Sequence, residues 1–118
     1  MKIIVLGAGM YVTGRNDSGV GTILSSLSQL SKEVKIEKVT VIANSITSSN
    51  SVDTAKNRIN EILNSSLQVD YYDLETNKIE NLFNNDDYDC TIIATPDNLH
   101  YQQALLSFQN YFHVLCVK

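Results

Sequence analysis

The chain opens on Lys2-Ile3-Ile4-Val5-Leu6-Gly7-Ala8-Gly9, an apolar, β-branched run halted by glycine. Such a run reads as a strand buried on both faces, because a strand with one wet face alternates apolar and polar residues. Four further runs follow the same pattern. Val39-Thr40-Val41-Ile42-Ala43 stops at Asn44-Ser45, and Cys90-Thr91-Ile92-Ile93-Ala94 stops at Thr95-Pro96. Leu67 to Tyr72 is weaker and alternating, and Val114-Leu115-Cys116-Val117 closes the chain.

Between these runs the apolar residues recur at helical spacing. Ile23, Leu24, Leu27 and Leu30 share one face of a helix starting near Thr22. Val52, Ala55, Ile59, Ile62 and Leu63 do so for a helix from about Ser51 to Asn64, with Asn44 to Ser51 as a polar loop before it. Ile79, Leu82 and Phe83 mark a short third helix. Tyr101, Ala104, Leu105 and Phe108 mark a fourth, with Asp97 or Asn98 as its N-cap. Alternating strand and helix, with right-handed crossovers, predict an α/β fold: a doubly wound parallel sheet in three layers, with strand order about 3-2-1-4-5.

Composition narrows the partners. With 118 residues, 43% hydrophobic and 19% charged, the chain reads as one soluble domain, residues 1–118. No apolar run approaches the roughly 20 residues of a membrane helix, and a cytoplasmic location is expected. Nine basic against thirteen acidic residues give a net charge of −4, which disfavours nucleic acid as a partner. Cys90 and Cys116 sit in apolar runs and are expected to be reduced core residues. Two histidines without an acidic cluster predict no metal site.

Gly7-Ala8-Gly9 directly after a strand is the context that gives a glycine fingerprint meaning. The first glycine permits a tight turn and the second lets a diphosphate approach the backbone. Position 12, where that fingerprint has its third glycine, is Val12, and the loop runs on through Gly14 and Gly19 to Gly21. Arg15 within it is in reach of a phosphate. At the end of the second strand, an acid would bind the adenosine ribose and repel a 2′-phosphate. This chain has Asn44 there, with Ser45, Thr47 and Ser48 adding hydroxyls, so both NAD and NADP are admitted. The absent acid also argues against a sheet binding S-adenosylmethionine. A sheet of this kind that binds no dinucleotide and serves assembly or regulation is the alternative.

Gly7-Ala8-Gly9, Ala94-Thr95-Pro96 with Leu99-His100, and His113-Val114-Leu115-Cys116-Val117-Lys118 together resemble the N-terminal half of the Gfo/Idh/MocA oxidoreductases. The resemblance spans the chain. It implies a Rossmann domain that binds NAD or NADP, paired in the longer protein with a C-terminal α/β domain, the last strand here ending without a following helix. It also implies hydride transfer at a sugar, sugar-nucleotide or cyclitol hydroxyl, homo-oligomers at full length, and an isolated domain that catalyses nothing. Carried over by position, Gly7, Gly9, Met10 and Tyr11 meet the diphosphate, and Asn44 and Ser45 the adenosine ribose. Thr95, Pro96, Asn98 and His100 line the nicotinamide side. Lys118 takes the place of the family's catalytic lysine, although Val117 stands where the family has glutamate.

Overall fold

A computed structural model describes residues 1–15, 20–44, 46–85 and 87–117. Five strands form one sheet: β1 (Lys2–Leu6), β2 (Lys38–Ala43), β3 (Val69–Asp73), β4 (Cys90–Ile93) and β5 (His113–Cys116). Their order is β3-β2-β1-β4-β5, and every pairing is parallel. The helices are α1 (Met10–Thr13), α2 (Thr22–Leu30), α3 (Ile46–Ile62), α4 (Ile79–Asn85) and α5 (His100–Gln109). A single 3₁₀ turn, Asp97–Leu99, leads into α5.

Strand periodicity divides the core in two. Ile3 and Val5 of β1 face one side, with Val39, Val41 and Ile92, and meet Val12, Leu24, Leu27, Val52 and Ile59 from α1, α2 and α3. Ile4 and Leu6 face the other side, with Ile42 and Ile93, against Phe83 of α4 and the rings of Tyr88 and Phe112. The right-handed rule explains the split. Winding proceeds from β1 through β2 to β3 in one direction and then reverses to β4 and β5, so the helices change face at the reversal. The predicted order and class hold.

Several local expectations are corrected. The predicted polar loop Asn44–Ser51 is helical from Ile46: α3 begins well before Val52, the first fully buried residue of its apolar stripe, so packing of that stripe outweighs the local preference of Ser and Asn for turns. A helix precedes the long glycine segment: α1 follows Gly9 at once and stops at Gly14, which takes φ +90°. Neither Asp97 nor Asn98 caps α5. Leu99 holds the cap position without a side-chain bond, since the 3₁₀ turn after Pro96 delivers the chain already curled.

Of the apolar stripe expected to bury α5, only Ala104 packs against the core; Leu105 is exposed, as are Tyr101 and Phe108 at 76% and 60%. Its inner face is built from smaller or polar groups: Ala104 and Leu106 against the core, and fully buried Ser107. Ser107 accepts a hydrogen bond from Thr91 of β4 at 2.8 Å and donates to the Gln103 carbonyl at 2.8 Å. A small residue there lets helix and strand approach closely. β5 is an edge strand with Leu115 and Cys116 exposed, so its continuous apolar run does not mean cover on both faces. Both cysteines are free as expected; Cys90 packs half-buried against the core, whereas Cys116 is exposed and not a core residue.

Candidate functional site

The winding reversal puts β1 between β2 and β4, and loops leave their C-terminal ends in opposite directions. A crevice opens there by topology alone. Hydrogen bonds continue the ladder past the strands: Gly7 N–H donates to Ile42 O at 2.9 Å, and Ala94 N–H to Leu6 O at 2.8 Å. The resulting cleft has a volume of about 460 Å³, within the usual range for small-molecule sites. Gly7, Ala8 and Gly9 form its floor, Asn44, Ser48 and Leu74 one wall, and Ala94, Thr95, Pro96, Leu99 and Gln103 the other. Among the described residues, none that lines the cleft carries a charge.

Gly7 and Gly9 do different work. Gly7 has φ +105°, and a Cβ there would lie 2.6 Å from the Ala94 carbonyl oxygen. Its lack of a side chain lets the loop wedge against the β4 turn. Gly9 has an ordinary φ of −76°, and a Cβ on it would meet nothing within 4 Å. Gly9 is also one of the residues that line the cleft. The first-turn amides of Met10 and Tyr11 precede any intrahelical acceptor, which suits an anion. Buried Thr13 steadies this loop, its hydroxyl 3.3 Å from both the Ala8 and the Gly9 carbonyl oxygens.

Position 12 explains the missing third glycine. Val12 is wholly buried in the core, so α1 packs through a side chain. Close backbone approach is moved to Gly21, where a Cβ would stand 2.2 Å from the Val12 carbonyl oxygen.

Of the residues named from sequence, Gly7, Gly9, Asn44, Thr95 and Pro96 come together around the cleft. Met10 and Tyr11 are exposed beside it and border a second hollow of about 240 Å³ with Arg15 and Thr22. Asn98 and His100 are not in the cleft wall. His100 turns back on its own turn, with Nε2 2.7 Å from the Thr95 carbonyl oxygen and Nδ1 3.3 Å from Cys116 Sγ. Ser45 and Lys118 lie outside the described residues, as does the side chain of Thr47. Sequence reading missed Leu74, Leu99 and Gln103. Gln103 accepts a hydrogen bond from the Thr95 hydroxyl at 2.5 Å. No sequence signal marked it, because the apolar stripe of α5 set Gln103 on the side expected to face solvent.

Over residues 1–118 the sequence matches the family described as oxidoreductase family, NAD-binding Rossmann fold. The chain belongs to the Gfo/Idh/MocA family. It is thus an NAD-binding Rossmann domain of oxidoreductase type. No curated protein matches it.

The cleft of this Gfo/Idh/MocA domain fits a dinucleotide in kind. A diphosphate carries two negative charges, and the floor offers backbone amides with no carboxylate in the lining to repel them. No described side chain from Met10 to Val20 enters the cleft lining. Among the described residues, no group of His, Cys, Asp or Glu could hold a metal ion, and no helix is long and apolar enough to cross a membrane.

Proposed function

We propose that this domain holds NAD or NADP across the cleft for an oxidoreductase acting on a hydroxyl of a sugar, sugar nucleotide or cyclitol. The observation that carries the reading is the cleft at the winding reversal, lined by Gly7 and Gly9 and, among the described residues, by no charged side chain. When bound, the nicotinamide supplies the hydride chemistry. The chain's part is to bind and orient. Amides after Gly9 receive the diphosphate, Asn44 and Ser45 take the adenosine ribose, and Thr95 and Pro96 bound the nicotinamide half. Lys118 stands beside the substrate hydroxyl, where an ammonium favours negative charge developing on that oxygen. Substrate-recognising groups belong to a further domain of the cytoplasmic parent protein, which assembles as a homo-oligomer, so this chain alone binds cofactor without turnover.

Calorimetric titration of the 118-residue chain with NADH and NADPH tests this. Saturable binding of at least one is expected. Heat and amide shifts that stay flat at millimolar levels of both would overturn it in favour of a dinucleotide-free role. Because Asn44 carries no charge, NADPH should bind at least as tightly as NADH. Asn44→Asp should then weaken NADPH about tenfold or more relative to NADH, through repulsion of the 2′-phosphate.

A further inference from the structure

We propose that Cys116 is a modification site: a thiol at the rim of the β4–α5 turn that hydroperoxides oxidise with His100 as its base. His100, set on the nicotinamide side by the resemblance, is not among the residues that line the cleft. Cys116 is exposed at the end of β5, and its Sγ lies 3.3 Å from His100 Nδ1. The opposite nitrogen settles which group donates. Nε2 is 2.7 Å from the Thr95 carbonyl oxygen, which can only accept, so Nε2 carries the hydrogen. With the Nε2 hydrogen engaged by Thr95, Nδ1 is the ring atom left to accept, and the thiol donates to it. Asp97 Oδ1 lies 4.0 Å from the same Nδ1. Nucleophile, base and an orienting acceptor behind the base make up the arrangement that activates a weak nucleophile.

The reaction balances with a hydroperoxide as the named co-reactant. The thiol proton passes to Nδ1 as sulfur attacks one peroxide oxygen. An S–O bond forms and the O–O bond breaks, so sulfur loses two electrons and the peroxide gains them. The imidazolium returns its proton to the departing hydroxide, and the products are Cys116 sulfenic acid and water. The base also ends on Thr95 in the cleft wall, so the state of the sulfur is mechanically joined to that wall.

Cys90 supplies an internal reference. It is half-buried, and its thiol is pushed above the usual value, first by burial and then by the neighbouring Asp89 charge. The full chain is treated with limiting hydrogen peroxide, trapped with dimedone and read at each cysteine by mass spectrometry. Cys116 should label faster than Cys90. Removing the base in His100→Asn or His100→Ala should slow Cys116 about tenfold or more, with the rate at Cys90 unchanged. A rise at Cys90 flags a variant that has unfolded, and the reading then passes to the other variant. Added imidazole should restore the Cys116 rate in His100→Ala and leave Cys90 alone. Wild-type Cys116 labelling no faster than Cys90, a variant with undiminished Cys116 labelling, or imidazole acting equally on both cysteines would each overturn the proposal.

Discussion

At the scale of single residues, the two glycines after β1 separate stability from binding. Gly7→Ala adds a methyl against a backbone carbonyl at φ +105°, and should cost about 1–3 kcal/mol in urea unfolding. Gly9→Ala meets no neighbour, and should leave unfolding within about 0.5 kcal/mol of wild type. The same Gly9→Ala should weaken nucleotide binding about tenfold in calorimetry, which is 1.4 kcal/mol. Equal losses of stability in both variants would contradict the assignment of roles. These glycines were legible in the sequence because a strand followed by Gly-x-Gly has few other uses. The contact of His100 was not. A side chain that bonds a carbonyl five residues back leaves no trace in composition or spacing.

At the scale of elements, helix packing depends more on what fits against the sheet than on where apolar residues recur. The Tyr101, Leu105 and Phe108 stripe has correct helical spacing yet faces out, while Ser107 is wholly buried. Periodicity identifies a helix, but it does not say which side the strand accepts. Ser107→Ala removes the acceptor of the buried Thr91 hydroxyl, and should cost about 1–3 kcal/mol in chemical denaturation. Phe108→Ser, on the exposed face, should change stability by about 0.5 kcal/mol or less in this chain. The α1–α2 joint is similar. Val12 reads as a defect in a glycine fingerprint until Gly21 is found against its carbonyl, a contact nine residues away that spacing rules do not contain.

At the scale of the whole molecule, sheet order and helix sides were legible because strand runs and crossover handedness leave few alternatives. Exposure of β5 was not, since an edge strand and a central strand share the same apolar composition. Two global measurements follow. Nucleotide at about a hundred times its Kd should raise unfolding free energy by about 2.7 kcal/mol and raise Tm accordingly. The folded chain also holds the Cys90 proton more tightly than the unfolded chain does, because burial and Asp89 raise its folded value above the ordinary 9.0. That contribution is intact below pH 9.0 and is lost as pH climbs through the higher folded value. The stability advantage of wild type over Cys90→Ala should therefore shrink in urea titrations above that pH.

The bonds from Gly7 to Ile42 and from Ala94 to Leu6 hang both sides of the crevice on the same central strand. They act as the jaws of a calliper, set by two inter-strand spacings at about 10 Å. Such jaws do not flex to suit a guest of another width. A descendant of this domain seeking a different cargo must reshape the padding on the jaws, at Asn44, Ser48, Leu74 or Gln103, and leave the frame as it stands.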